Sequence, residues 1–486
     1  MSVGVSAGSV AGEQITARKA GWWKDRGLVG LLVIFAVLAP LITQRIYASD
    51  EIKYFAYTHS LFFDRDLDFS NDYLHWYEVD PVKFRAIRDD LHNTREPLTG
   101  LPTNEAPIGT GLLWLPSYAL AHGGVLLARA LGANVAADGW SQPYIAAVCF
   151  TSYIFACLGL LLCWSIAKRY FGSRLAAVAT VVAWLGTPLI FYTVIAPPWS
   201  HATSLMTVTL FIWYWLRTRR QEGRSRREWA VLGLLGGLMM LVREQDFLFL
   251  VLPGIEALVA VFDWWRSRSR VWLSRAAQWV VGLIVMGAGV FVAFIPQLLA
   301  YFAITGRFGP SRVVSSKFNL TSPNALNVLF NPEHGLFVWH PIILVAILGM
   351  VVFWRRDRLL TTALMVAFAM QVYIAGSFLT WQSASSFGQR RFINSTLIFI
   401  LGIGTLIAWA IDHGVAKWAI GAVAAAFVAW NAGLLMQYAL WCSPQRQGLD
   451  WNVVLRGQLE LPLKVPRLIW DFLTNREVFY QSIPKC

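Results

Sequence analysis

Long apolar runs separated by short polar breaks recur from residue 27 to residue 440. Most approach the roughly 20 residues a helix needs to cross a bilayer. Eleven are read as membrane helices: approximately 27–48, 142–167, 174–195, 200–216, 229–243, 246–264, 272–302, 335–354, 359–378, 392–411 and 415–440. The fold expected is an all-α integral membrane protein with about 11 transmembrane helices, within a range of 11–13, and a helical first outer loop. The expected division is a cytoplasmic tail, 1–26, then a polytopic membrane domain, 27–440, then a short interfacial tail, 441–486. The first outer loop, 49–141, bears juxtamembrane helices.

Charge sets the orientation. Arg18, Lys19, Lys24 and Arg26 precede the first run, which places its start in the cytoplasm and the following loop outside. Residues 107–131 either cross fully or lie in the outer interface. Only the second arrangement puts Lys168–Arg174, Arg217–Arg227, Arg266–Arg275 and Arg355–Arg358 inside, so the positive-inside trend favours it. The residues before Gly27 do not form a cleavable signal, and 27–48 is long enough to remain as an anchor.

Composition removes several function classes. With 56% hydrophobic and 14% charged residues, a soluble enzyme is excluded. The net charge of +13 sits in short clusters between apolar runs, so it orients the chain and implies no nucleic-acid partner. Three of the five cysteines, Cys149, Cys157 and Cys163, share one apolar run and read as packing residues; Cys442 and Cys486 could pair outside the membrane. A protein-built zinc site has no H-x-x-x-H or H-E-x-x-H to rest on. No phosphate-binding glycine loop precedes a helix, so an activated substrate would come from the lipid phase.

Acidic residues are concentrated in one place. Twelve of the 28 Asp and Glu lie between Asp50 and Glu105, directly after the first run, in a stretch rich in Tyr, Phe and His. Gathered acids at a membrane surface suit proton acceptance and polar substrates, although a hydrated loop that avoids Lys and Arg has the same composition. The same outer face collects NEAPIGTG from Asn104, APPWSHA from Ala196, REQD from Arg243, 305–334, and WQSASSFGQRRF from Trp381. Arg390 and Arg391 run against the positive-inside trend, and a guanidinium fork matches a lipid phosphate; headgroup anchoring is the plainer alternative. Arg243 beside Glu244 and Asp246 reads equally as a local ion pair. His201, His334 and His340 read first as satisfied interfacial histidines, with Glu333 adding interest to His334.

SDEIKYF after the first run, NEAPIGTGLLWLP in the first outer loop and the late WQSASSFGQRRF together resemble the polytopic lipid-linked-sugar glycosyltransferases of the GT-C fold. That family includes bacterial protein O-mannosyltransferases and aminoarabinose transferases. The resemblance departs at NEAP, which replaces a frequent basic or His residue before two prolines, and in lacking a large soluble C-terminal domain.

The resemblance implies transfer of a sugar from a polyprenyl-phosphate donor, with inversion, at the periplasmic face of a bacterial inner membrane. It implies Asp50 as base with Glu51 second, and Arg390, Arg391 and Arg243 on the donor phosphate. Tyr54, Asp66, Asp68, Glu105, His334 and Trp381 become substrate-binding candidates, and Tyr57 a further stacking residue. No cofactor is certain; some members use a divalent cation, for which Asp50 with Asp66 or Asp68 are the candidates. The acceptor implied is a glycolipid, glycan or other small molecule, and membrane lipids are the remaining partner. A flippase or transporter of lipid-linked sugars would share the many helices and polar interruptions. It would place them nearer mid-membrane and show repeat halves.

Overall fold

The computed structural model describes residues 22–46, 48–220, 223–267, 272–383, 386–441, 450–477 and 479. The proposed Cys442–Cys486 pair lies outside the described residues; Cys149, Cys157 and Cys163 are free thiols. Among the described residues the structure is all-α, and its β pairing is limited to two isolated bridges, Arg95 with Pro102 and Phe318 with Phe378.

The helices run α1 (Arg26–Leu38), α2 (Ser49–His59), α3 (Ser70–Val79), α4 (Arg85–His92), α5 (Gly109–Ala130), α6 (Gln142–Phe171), α7 (Ser173–Leu185), α8 (Ser200–Thr218), α9 (Arg226–Val242) and α10 (Val251–Ser267). They continue as α11 (Trp272–Thr305), α12 (Arg312–Ser315), α13 (Ala325–Phe330), α14 (Leu336–Trp339), α15 (Pro341–Phe353), α16 (Arg358–Ser377), α17 (Thr396–Asp412), α18 (Lys417–Trp441) and α19 (Trp451–Thr474). Among the described residues, seven helical stretches are long and apolar enough to cross a membrane, or eight if one bent pair is a single span. The protein is an integral, multi-pass membrane protein.

The span boundaries differ from those read along the sequence. The run 27–48 is not one helix: α1 has 13 residues, a short turn carries Pro40, residues 42–46 are irregular, and α2 starts at Ser49. Helix α15 is also only 13 residues long. Helix α8 buries Ser200, Thr203, Ser204, Thr207 and Thr209 inside the bundle, where a helix needs no lipid-facing apolar surface. Helix α5, within the stretch expected at the interface, is itself one of the seven long apolar helices and packs on α6 and α2.

Small residues bring backbones together. Gly233 and Gly237 of α9 lie against the carbonyls of Met286 and Val290 on α11, and Gly349 of α15 meets Gly402 of α17. A Cβ at any of these would strike backbone, which is the close approach that packs helices in lipid. The pair Ser173–Leu185 and Pro188–Ile195 bends by 73°. Pro188, with no N–H to give, accounts for the break. Its second limb ends in a five-residue π-turn, Phe191–Ile195.

Helix α19 docks on α18 through Gly433 and Gly457, each against a glutamine of the other helix. Gln437 Nε2 donates to the Val454 carbonyl at 3.1 Å and Gln458 Nε2 to the Trp430 carbonyl at 3.0 Å. Between α19, α18, the turn before α2 and the bent pair lies a groove of about 510 Å³. Leu41, Ile190, Val194, Met436, Leu461 and Leu468 line it, and Arg45 adds one charge.

Candidate active site

Helix α2 starts where the acidic stretch begins, and its first turn carries Asp50 and Glu51. The two carboxylates face different surroundings. Glu51 is fully buried and accepts the Ala48 N–H at 3.0 Å, closing the helix start. Asp50 keeps 49% of its side-chain surface open and accepts a bond from Arg390 Nη2 at 2.9 Å. Desolvation by the surrounding protein would raise the Asp50 carboxyl, but Arg390, Lys53 and Lys317 outweigh it and hold the carboxyl below its usual range. Asp50 is therefore ionised at neutral pH.

Arg390 is aimed by the loop before it. Gly388 has a left-handed backbone, φ +58, and a Cβ there would meet the His340 ring, so the turn requires glycine. Arg390 N then bonds the Gly388 carbonyl at 3.0 Å and opens a short 3₁₀ helix. The guanidinium lies 4.1 Å from the Trp199 ring centroid, a cation–π contact. Trp199 Nε1 is buried with no hydrogen-bond partner.

The two adjacent arginines diverge. Arg391 Nη1 donates to the carbonyls of Thr380 and Trp381 and to Ser383 Oγ at 2.9–3.3 Å, and its guanidinium lies 4.2 Å from the Phe378 ring centroid. It ties its own loop together. Gln389 Nε2 also bonds the Trp381 carbonyl, so Trp381 is held largely buried in the loop.

On the other side of α2, Ser200 donates to the Tyr54 hydroxyl at 2.8 Å. Arg243 Nη1 donates to Ser200 Oγ at 3.3 Å and to His201 Nδ1 at 2.7 Å. An arginine N–H can only donate, so Nδ1 of His201 carries the lone pair. Tyr57, the other aromatic candidate, is buried one turn on, with its Cβ against Gly111 of α5.

A second charged group lies on α2. Lys53 Nζ reaches Asp90 at 2.8 Å and Glu105 at 3.8 Å, while Lys317 Nζ from the 305–334 loop meets Glu105 at 2.6 Å. Burial would lower the Lys53 ammonium, but Glu105, Asp90 and Asp50 raise it. Burial would raise Glu105, and Lys53 and Lys317 bring it below its usual range. Asn104 Nδ2 donates to the Lys53 carbonyl at 2.9 Å, which pins the NEAP segment to α2.

The remaining candidates do not join this group. Asp66 accepts from Ser60 Oγ at 2.9 Å and Asp68 from Ser70 Oγ at 2.7 Å, so both close turns beyond the C-terminal end of α2, at the opposite end from Asp50. Asp50, Asp66 and Asp68 thus do not form one ligand set. His334 is fully buried, stacks 4.6 Å from Trp339 and bonds the Ser386 carbonyl through Nε2 at 2.7 Å. Burial pushes its imidazole down to about 4, so it is neutral.

Sequence reading missed Lys53, Trp199, Ser200 and Lys317 as neighbours of the site. Lys53 had a signal: it lies three positions after Asp50, on the same helix face. The others arrive from separate loops.

Residues 142–298, about a third of the chain, match the profile of the dolichyl-phosphate-mannose-protein mannosyltransferases. Over that segment the resemblance to the GT-C glycosyltransferases is borne out. The matched segment begins with α6 and ends in α11, so it contains Trp199, Ser200 and Arg243 but neither Asp50 nor Arg390. No curated protein matches the chain. Among solved structures, the archaeal oligosaccharyltransferase AglB from Archaeoglobus fulgidus, in complex with an inhibitory peptide and a dolichol-phosphate, aligns over 96% of this chain. Identity is 14% and the TM-score 0.48. The chain spans 61% of the length of that structure.

Proposed function

We propose that this protein is a membrane glycosyltransferase that moves a sugar from a polyprenyl-phosphate donor to a small or lipid-borne acceptor at the periplasmic face of a bacterial inner membrane. The observation that carries the reading is the Asp50–Arg390 pair: an ionised, half-open carboxylate on a guanidinium, above Trp199. A displacement of this kind needs a base for the acceptor proton and positive charge for the leaving phosphate, and the pair brings both to one spot.

The step is a single displacement. The acceptor oxygen attacks the anomeric carbon, the bond from that carbon to the phosphate oxygen breaks, the acceptor proton passes to Asp50, and polyprenyl phosphate leaves. One displacement inverts the anomeric carbon. Arg390 holds Asp50 before the donor arrives and has further N–H groups for a phosphate oxygen. Sharing Arg390 with the donor loosens its hold on Asp50, which sharpens the carboxylate as a base. Arg243 stands near Tyr54 as the second cation, and Trp199 backs Arg390. Arg391 keeps Arg390 in place.

The lipid chain fits the apolar groove. Ile190, Val194 and Ile195 line it, while Tyr192 of the same π-turn packs against Trp199 and His201, with ring centroids 5.8 and 4.6 Å apart. One short segment therefore connects a lipid-compatible groove to the charged site.

The test uses purified protein in detergent with radiolabelled polyprenyl-phosphate sugars, comparing wild type with Asp50→Asn. Turnover of a donor that depends on Asp50 supports the reading. Tight donor binding without turnover, unchanged in the variant, replaces it with a transporter of lipid-linked sugars.

A further inference from the structure

At the C-terminal end of α2, His59 meets two carboxylates. Its Nδ1 lies 3.0 Å from Asp72 Oδ1 and 3.5 Å from Asp64 Oδ2. The potential ligand atoms of the three residues all lie within 4.8 Å of one another. His59 and Asp72 are 2% and 0% exposed, whereas Asp64 is at the surface.

The other ring nitrogen is already engaged. His59 Nε2 lies 3.3 Å from the Asp138 carbonyl, which can only accept, so Nε2 carries the hydrogen. Nδ1 then faces two carboxylates, Asp72 Oδ1 at 3.0 Å and Asp64 Oδ2 at 3.5 Å, and either a proton or a metal ion can sit between them. Nδ1 of His59 and Oδ2 of Asp72 are both buried without a geometrically sound hydrogen bond. A cation in the middle resolves both. The spacing suits one: four ligands about 2.0–2.1 Å from a tetrahedral metal lie about 3.4 Å apart.

The surroundings are those of a held ligand set. A metal-bound histidine commonly donates its other N–H to a backbone carbonyl, as His59 does. Trp140 Nε1 donates to Asp72 Oδ1 at 3.0 Å, and Asn71 Nδ2 to Asp64 Oδ2 at 3.0 Å, orienting each carboxylate. The His59 ring is stacked between Trp140 and Phe63, with centroids 4.1 and 5.1 Å away, so it cannot swing out.

We propose that His59, Asp64 and Asp72 bind one divalent transition-metal ion, with water completing its shell. One imidazole and two carboxylates suit zinc or manganese. The ion ties the end of α2, the turn Ser60–Asp64 and the first turn of α3 together. It lies nine residues from Asp50, about 14 Å along the helix. Its role is to fix the helix that carries the site, and it stands apart from the transfer chemistry.

The experiment reads metal directly, without a sugar donor, so it is independent of the transferase reading. Detergent-purified full chain is stripped with chelator, exposed to Zn²⁺ or Mn²⁺ with Ca²⁺ as comparison, desalted and analysed for bound metal and thermal unfolding. Expected are one Zn²⁺ or Mn²⁺ per chain, a raised midpoint, and loss of both effects in His59→Ala and Asp72→Asn. Asp64→Asn, a surface change that spares folding, should weaken binding at least tenfold, and Trp140→Phe by about 10–100-fold. Asp66→Asn should bind normally. If the wild type retains no stoichiometric metal, or Asp64→Asn retains as much as wild type, the site is a histidine–carboxylate ion cluster and the proposal is overturned.

Discussion

Arg390 and Asp50 are 340 positions apart in the chain and 2.9 Å apart in the fold. The contact joins the first outer helix to the last polar loop, and it carries the first prediction. Asp50→Asn keeps the size of the side chain and removes the proton acceptor. Transfer should fall by about 10²–10⁴-fold, with donor binding changed little. An Asp50→Asn protein that folds, inserts and still transfers at the wild-type rate removes Asp50 from the reaction.

The neighbouring arginines should separate by assay. Arg390→Gln removes a charge-assisted bond worth about 1.5–3 kcal/mol, so donor affinity should drop by on the order of 10–150-fold. Arg391→Gln takes away bonds to two carbonyls and one hydroxyl of its own loop, and should appear first as a lower unfolding temperature. Equal losses of donor affinity in both, with neither destabilised, would contradict the division drawn between them.

The pH profile follows from the same pair. Burial raises the Asp50 carboxyl, and Arg390 with the two lysines more than reverses it, so the folded pKa lies below the ordinary aspartate value of about 3.9. The acidic limb of kcat/KM should therefore lie below that value and move upward in Arg390→Gln. A limb that does not respond to Arg390 would assign the titration to another group.

Lys53 is a stability prediction. Its ammonium is nearly buried between Asp90 and Glu105, so Lys53→Met leaves Asp90 without its cation, while Glu105 keeps Lys317. Breaking a buried pair from one side costs about 3–5 kcal/mol, which denaturant unfolding in detergent would register. Since Lys53 is raised in the fold, its contribution is full below the unfolded lysine value near 10.4 and is lost as pH rises through the folded value.

The groove predicts a dependence on lipid length. Met436→Trp should raise the KM for a long polyprenyl donor by on the order of tenfold, the loss of about two buried methylene groups. A short-chain analogue that does not reach the groove should show no change.

The sequence displayed the architecture through its apolar runs and the site through its polar interruptions, because both are local. Arg390 stood out as a cation against the positive-inside trend, and Asp50 through the resemblance of SDEIKYF to the GT-C glycosyltransferases. What it could not display was partnership. Arg390 and Arg391 are adjacent in the chain, yet one points to Asp50 and the other to its own loop, a difference set by the Gly388 turn. Glu51 stood second to Asp50 as a candidate base, and the start of α2 turns its carboxylate inward. Among the described residues seven stretches are long and apolar enough to span, against eleven runs read along the chain: α1, α9 and α15 have 13, 17 and 13 residues, residues 173–195 are bent, and α8 hides hydroxyls inside the bundle.

The π-turn Phe191–Ile195 has a consequence for specificity. Val194 and Ile195 line the groove, while Tyr192 of the same five residues packs against Trp199 and His201. Under the proposed reading, tail and head of a donor are gauged by a single piece of backbone. Recognition of the lipid and recognition of the sugar would then not be separable dials, and a variant selected for a new tail would carry an altered preference at the head.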